Sequence, residues 1–186
     1  MKEQMCYNFV KALRAENAGG TTVLALRAVQ EGLSFKLLNR RKRMHRVMFL
    51  CTANSCRSQM AEGLAREFGK GVLEVYSAGL MAAGVHPRAI AVMKEIGIDI
   101  SRQRSEEIDE KLLRTMDVVI TLCGHAEKYC PRTPPGITRI HWPVEDPVGT
   151  LGTEERIMYE FRRARDEIKE KILNFVKEIK DSRKIL

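Results

Sequence analysis

Four short runs of hydrophobic residues mark the predicted strands of this chain. They cover residues 46–50, 72–78, 117–122 and 138–141. The predicted helices, which follow from capping residues and from apolar residues at helical spacing, cover 58–68, 87–96, 109–115 and 153–180. Strands that alternate with helices are typical of a parallel sheet that is covered on both faces. We therefore predict an α/β fold with a four-stranded parallel sheet and helices on both faces.

Length and composition agree with one globular domain. The chain has 186 residues, of which 44% are hydrophobic, and this is enough to close one sizeable core. No apolar run approaches the roughly 18 residues that a membrane span needs, and the N-terminus has no clean signal-peptide core. We therefore expect a cytoplasmic monomer that has no membrane segment.

Positive charge is concentrated at the N-terminal end. Residues 1–43 hold nine Lys or Arg against three Glu, a net charge of +6 out of +8 for the whole chain. We predict that 1–43 is a basic extension, helical or poorly ordered, and that 44–186 is the catalytic domain. A basic run can contact phosphate groups. Because no aromatic-rich or helix-turn-helix pattern accompanies it, nucleic-acid binding is not expected, and a DNA-binding regulator is kept as an alternative.

A cysteine-rich loop follows the first predicted strand. It reads Cys51-Thr-Ala-Asn-Ser-Cys-Arg57. Five residues between Cys51 and Arg57 allow the backbone to curl around a tetrahedral oxyanion, which the loop amides and the guanidinium fork would hold. Positive charge favours the thiolate of Cys51, which makes this residue a candidate nucleophile. The predicted oxyanion-binding residues are Thr52, Ala53, Asn54, Ser55, Cys56 and Arg57.

Two further reactive groups follow later strands. Cys123 comes after the third predicted strand and Asp146 after the fourth. Because the carboxyl ends of parallel strands meet at one edge of the sheet, we expect both groups to converge with Cys51 in one active site. A zinc site is the alternative use of the cysteines. The C-x4-C spacing to Cys56 and the C-x6-C spacing to Cys130 are wider than the usual zinc knuckles.

Seven motifs are distributed from about Arg46 to the chain end. They read Cys51-Thr-Ala-Asn-Ser-Cys-Arg-Ser-Gln-Met-Ala-Glu-Gly63, Tyr76-Ser-Ala-Gly79, Gly97-Ile-Asp-Ile-Ser101, Thr121-Leu-Cys123, Cys130-Pro131, His141-Trp142 and Asp146-Pro147. In combination they resemble the thioredoxin-coupled arsenate reductases, a family that shares its fold with the low-molecular-weight protein tyrosine phosphatases. Residues 1–43 have no counterpart in this resemblance.

The resemblance implies that arsenate is reduced to arsenite by a relay of three thiols. Cys51 would attack arsenate held by Arg57, while Asp146 protonates the departing oxygen as general acid. Cys123 would then attack Cys51, which releases arsenite and leaves a disulfide. Cys130 would attack Cys123 in turn, and thioredoxin would reduce the final disulfide.

The resemblance also implies supporting residues around the loop. Ser58 would hydrogen-bond to the Cys51 thiolate. Some family members bind potassium beside the loop, and the matching positions are Asn54, Glu62, Ser77 and Glu106, the last of which is usually aspartate. No tightly bound cofactor is otherwise expected. Ala53 stands where glycine is typical, and alanine would cost about 1 kcal/mol if this position needed a positive φ.

A low-molecular-weight protein tyrosine phosphatase is the alternative enzyme, because it would use the same Cys51, Arg57 and Asp146. Phosphatases of this fold usually carry aromatic residues just after the Asp-Pro pair, whereas Val148-Gly149-Thr150 follows here. A phosphatase also has no use for Cys123 and Cys130. The sequence therefore favours arsenate reduction.

Overall fold

A computed structural model of the chain describes residues 43–184. All but the last residue of the predicted basic extension, 1–43, lies outside the described residues, so the character of this extension stays a prediction. Residues Met44–Leu186 form one compact unit. Within 43–184, the structure contains no helix that is both long enough and apolar enough to cross a membrane.

The centre of the fold is a parallel sheet. Its strands are β1 (His45–Cys51), β2 (Leu73–Gly79), β3 (Val118–Thr121) and β4 (Thr138–His141). All neighbours are parallel, and the spatial order is β2-β1-β3-β4. The chain adds β2 on one side of β1 and then β3 and β4 on the other side. The order therefore reverses beside β1, and such a switch point is where parallel sheets bind ligands, at the carboxyl ends of the strands.

In the described part of the chain, residues 43–184, five helices connect and cover the strands. They are α1 (Arg57–Phe68), α2 (Pro87–Lys94), α3 (Glu110–Leu113), α4 (Gly124–Tyr129) and α5 (Glu154–Lys184). A short 3-10 turn, Pro147–Gly149, precedes α5. Each predicted helix is present, with ends that differ by a few residues. The six-residue α4 is not among the helices predicted above, because no apolar period marks it, whereas the shorter α3 is predicted from its capping residue, Asp109.

The side chains of β1 alternate between two cores. Val47 and Phe49 pack in one core with residues of α1, α2 and α5, whereas Met48 and Leu50 pack in the other with residues of α3 and α4. All four side chains are almost completely buried. A strand that is apolar on both faces needs cover on both faces. The predicted fold class, a four-stranded parallel sheet with helices on both faces, is therefore confirmed.

Candidate active site

The loop after β1 is held from its outer side. The carbonyl oxygens of Thr52, Ala53 and Ser55 accept hydrogen bonds of 2.8 to 3.1 Å from N–H groups in the segment 81–86. That segment lies outside the wall of the cavity beside Cys51. The loop carbonyls are thus turned away from the cavity, which leaves the amide side of the loop to face an anion.

Gly79 allows the loop to approach the end of β2. A Cβ atom on Gly79 would lie 2.6 Å from the backbone nitrogen of Asn54 and 2.9 Å from the carbonyl oxygen of Thr52. Asn54 has a φ of 44° and is the one non-glycine residue with positive φ within 43–184. Asparagine tolerates this region better than most residues. Ala53 does not have a positive φ. The cost of about 1 kcal/mol that alanine would incur at a positive φ therefore does not apply at this position.

Cys51 lies at the base of the cavity and is 3% exposed. Its Sγ is 2.8 Å from Ser58 Oγ. Asn54 Nδ2 donates to the same Ser58 oxygen at 2.9 Å. Because a serine hydroxyl carries one proton and here accepts from Asn54, that proton is free to be donated to sulfur. Ser58 is thus placed to stabilise a Cys51 thiolate.

Arg57 joins the loop to the segment after β4. Its Nη1 donates to the carbonyl oxygen of Val144 at 2.9 Å, and its Nη2 donates to Asp146 Oδ2 at 2.6 Å. The other carboxylate oxygen of Asp146 accepts from the Val148 N–H at 3.1 Å. The Arg57 side chain is almost buried, whereas half of the Asp146 side chain is exposed. An incoming anion must therefore share Arg57 with Asp146.

These residues enclose a cavity of about 440 Å³. Its wall consists of Cys51, Thr52, Ala53, Ser55, Cys56, Arg57, Cys123, His125, Asp146 and Val148. The structure thus brings together the predicted nucleophile, arginine, second thiol and general acid. Asn54 is not in the wall, because its side chain is fully buried behind the loop. His125 and Val148 were not predicted as site residues, and only their place in the fold brings them to the cavity.

Cys123 lies at the start of α4 and is 7% exposed. Its Sγ is 3.4 Å from Thr52 Oγ1 and accepts a hydrogen bond from the Ala126 N–H at 3.4 Å. The second thiol therefore lines the same cavity as the first.

Cys130 lies at the opposite end of α4 and does not line the cavity. Burial raises the pKa of its thiol to about 11, an effect that the positive charge of Arg139 opposes. Seven steps along a helix, at roughly 1.5 Å of rise each, would place the Cα atoms of Cys123 and Cys130 about 10.5 Å apart. A disulfide needs Cα atoms about 4.4 to 6.8 Å apart. Both thiols are free, and the geometry of the helix between them places them beyond bonding distance.

Burial and geometry bear on two further questions, the role of Cys56 and the alternative of a zinc site. Cys56 packs in the core with α1, and burial raises the pKa of its thiol far above its ordinary value. Within residues 43–184, no group of three or more His, Cys, Asp or Glu side chains is arranged to hold a metal ion. The zinc alternative therefore finds no support among the described cysteines.

The residues predicted to hold potassium form a hydrogen-bonded network behind the loop. Asn54 Nδ2 donates to Ser77 Oγ at 2.8 Å, and the Ser77 hydroxyl donates to the Glu62 carboxylate. Glu106 contributes its backbone N–H, which donates to Asn54 Oδ1 at 2.8 Å, whereas its side chain is exposed. Three of the four predicted side chains therefore converge.

Arg66 already brings positive charge to this network. Its Nη1 lies 2.5 Å from Glu62 Oε1. Asn54 Oδ1 accepts two hydrogen bonds, from the Glu106 N–H and from Gln59 Nε2 at 2.9 Å. A potassium ion would have to displace Arg66 from Glu62 and a donor from Asn54. The arrangement does not fit a resident potassium ion, so potassium binding stays a prediction of the resemblance alone.

Comparison with known proteins agrees with this site. The family model for low molecular weight phosphotyrosine protein phosphatase matches residues 46–185. An arsenate reductase of Halalkalibacterium halodurans is 53% identical over 129 residues, which cover 69% of this chain and 93% of that protein. An arsenate reductase of Bacillus subtilis is 50% identical, with the same shares covered.

A solved structure agrees as well. An arsenate reductase in its phosphate binding state has a TM-score of 0.61 and 42% sequence identity, covering 73% of this chain and 99% of that one. The resemblance identified from the motifs is thus confirmed. The chain therefore belongs to the low molecular weight phosphotyrosine protein phosphatase family, among relatives that are arsenate reductases.

Proposed function

We propose that the chain reduces arsenate to arsenite through Cys51, Cys123 and Cys130 in that order, with thioredoxin as the final reductant. One observation carries this proposal: Cys51, Arg57 and Cys123 line the same cavity. An oxyanion held by Arg57 would thus meet two thiols. The relatives named as arsenate reductases support arsenate as the substrate, and the relative in a phosphate binding state supports a tetrahedral oxyanion in the loop.

The first exchange joins sulfur to arsenic. The Cys51 thiolate attacks the arsenic atom, and an oxygen departs as water after Asp146 donates a proton. Arsenate replaces Asp146 as the partner of one nitrogen of the Arg57 guanidinium. The Asp146 carboxyl group is then free to face the departing oxygen. Cys123 then attacks Cys51 Sγ. The new S–S bond replaces the S–As bond, whose electron pair stays on arsenic, so that two thiols are oxidised and arsenic(V) is reduced to arsenic(III).

The second exchange carries the disulfide outward. The Cys130 thiolate attacks Cys123 Sγ and releases the Cys51 thiolate for another cycle. Since α4 holds Cys123 and Cys130 too far apart for a disulfide, α4 must unwind in this step. Thioredoxin then reduces the exposed disulfide and supplies the two electrons that arsenic received.

Hydrolysis of phosphate monoesters is the second candidate. Cys51, Arg57 and Asp146 would suffice for it, and the matching family model is named for phosphatases. The described cavity wall contains His125 and Val148 but no Phe, Tyr or Trp that could stack on a phosphotyrosine ring. A phosphatase would also leave Cys123 without a role. Arsenate reduction therefore gives a role to more of the residues that line the cavity.

The cellular setting of the proposed reaction is the cytoplasm. All four described cysteines are free thiols, and a relay that starts from reduced thiols needs a compartment that keeps thiols reduced. The monomeric state stays a prediction.

One paired assay tests the proposed function. NADPH oxidation is followed with thioredoxin and thioredoxin reductase, with and without arsenate, and hydrolysis of para-nitrophenyl phosphate is measured on the same preparation. The proposal expects oxidation that depends on arsenate and on thioredoxin, with little hydrolysis. Rapid hydrolysis without arsenate-dependent oxidation would overturn it in favour of the phosphatase.

A further inference from the structure

The Arg139 side chain on β4 wraps around the end of α4 that lies away from the cavity. Its Nε donates to the Glu127 carboxylate at 3.1 Å. Nη1 donates to the Pro131 carbonyl oxygen at 3.2 Å and to Thr133 Oγ1 at 3.1 Å. Nη2 donates to the carbonyl oxygens of Ala126 at 3.4 Å and Glu127 at 3.1 Å. All five N–H groups of the guanidinium are therefore engaged.

These acceptors lie on both sides of Cys130. In a continuing helix, the Glu127 carbonyl would accept from the N–H of residue 131. That residue is proline, which has no N–H, and Arg139 Nη2 supplies the missing donor. The Pro131 carbonyl lies just beyond Cys130 and is held by the same side chain. Arg139 thus holds the backbone at Glu127, three residues before the last thiol of the proposed relay, and at Pro131, directly after it.

The Glu127 carboxylate also contacts a third element, β3. Its carboxylate accepts from Thr121 Oγ1 at 2.6 Å as well as from Arg139. The hydrogen bond from Thr121 and the interaction with Arg139 lower the pKa of Glu127, so that the carboxylate is charged at neutral pH. One carboxylate therefore ties α4 to both β3 and β4.

We propose that Arg139 is a positioning residue of the thiol relay, which holds α4 helical and so keeps Cys123 and Cys130 apart while both are reduced. The catalytic meaning of this role rests on the proposed function. All five acceptors lie in the segment 126–133, around the turn that must unwind before the disulfide can form. A contact made in one of two states shifts the equilibrium toward that state. Arg139 thus opposes premature oxidation of the Cys123 and Cys130 pair.

The equilibrium between dithiol and disulfide tests this proposal directly. The full chain with Cys51→Ser is equilibrated in mixtures of reduced and oxidised dithiothreitol, where the pair gives two electrons and two protons to the reagent. The fraction of Cys123–Cys130 disulfide is then measured by alkylation and mass spectrometry. Arg139→Gln should favour the disulfide by about tenfold in the equilibrium constant, equal to roughly 30 mV toward more negative potential.

Two further variants separate the guanidinium fork from its charge. Arg132→Gln removes the same charge from an exposed side chain in the same segment and should leave the equilibrium unchanged. Arg139→Lys keeps the charge but has three donors on a single atom, so it should shift the equilibrium in the same direction as Arg139→Gln. This conservative variant also serves as the test if Arg139→Gln fails to fold.

Each result has a defined meaning. Equal potentials for Arg139→Gln and Arg132→Gln would overturn the role of Arg139. Full restoration by Arg139→Lys would assign the effect to charge and would overturn the role of the fork. A parent chain that never forms the Cys123–Cys130 disulfide would overturn the relay together with this proposal. The equilibrium is measured without arsenate. A chain that fails to reduce arsenate would therefore still show the shift in potential if Arg139 holds α4 helical.

Discussion

The hydroxyl proton of Ser58 connects a buried asparagine to the reactive sulfur. Asn54 uses both of its amide protons, one on Ser58 and one on Ser77. This fixes Ser58 Oγ as an acceptor on one side and a donor toward Cys51 on the other. A network behind the loop thus orients the hydroxyl group that contacts the nucleophile.

Ser58→Ala should therefore slow the reaction of Cys51. A hydrogen bond to a charged group contributes about 1.5 to 3 kcal/mol, so alkylation of Cys51 by iodoacetamide at neutral pH should fall by roughly 10- to 100-fold. The measurement is the pseudo-first-order rate of Cys51 modification, followed by mass spectrometry. Ser101→Ala, on an exposed segment, is the control. Equal rates in both variants would show that Ser58 does not stabilise the thiolate.

His86 should make the stability of the domain depend on pH. Its Nδ1 accepts from the Arg88 N–H at 3.2 Å at the start of α2, and its ring lies 5.0 Å from that of Phe161. Burial, aided by the charge of Arg88, lowers the pKa of His86. The unfolded chain therefore binds the proton more readily. The stabilisation is complete above the ordinary histidine pKa of about 6.5 and is lost as the pH falls below it.

His86→Asn should flatten this dependence, because asparagine caps the helix without titrating. The free energy of unfolding by urea is measured at pH 7.5 and 5.5 for parent and variant. We expect the parent to lose more stability than His86→Asn over this interval. An identical loss in both would exclude His86 as the responsible group.

At the scale of elements, an apolar run, an apolar period or a capping residue made an element predictable, whatever its length. β1 contains a continuous apolar run and α1 has apolar residues at helical spacing, and the predicted limits of both agree with the structure to within a residue. α4 is six residues long and has no period to detect. The contacts of Arg139 and of Asn54 join segments that are distant in sequence, so no local pattern reveals them. The predicted catalytic residues came together because strand ends meet at one edge.

α4 should behave as a switch that unwinds on oxidation. In the reduced chain, the Glu127 N–H is bonded to the Cys123 carbonyl and the Cys130 N–H to the Ala126 carbonyl. A Cys123–Cys130 disulfide cannot span this helix, so both hydrogen bonds should break. Hydrogen exchange of residues 124–131 is compared between reduced and oxidised chains, with the amides of β1 as an internal control. Equal protection of 124–131 in both states would contradict the switch.

At the scale of the whole molecule, all residues assigned to chemistry lie in 44–186. Removal of residues 1–43 should therefore leave specific activity unchanged, as measured by thioredoxin-coupled arsenate reduction per folded chain. A folded but inactive truncated chain would place part of the site in the extension. A salt-dependent shift of DNA in a gel that disappears with the truncation would instead support the alternative of a nucleic-acid regulator.

The central claim is that three thiols act in one order, and the Cys130→Ser variant tests it most directly. With Cys130 absent, the first exchange should still form a Cys51–Cys123 disulfide. Both of these sulfurs are buried, at 3% and 7% residue exposure, so thioredoxin should not reach them. Arsenite is counted per chain in the presence of excess arsenate, thioredoxin, thioredoxin reductase and NADPH. The relay predicts about one arsenite per chain and then arrest, whereas sustained turnover would contradict it.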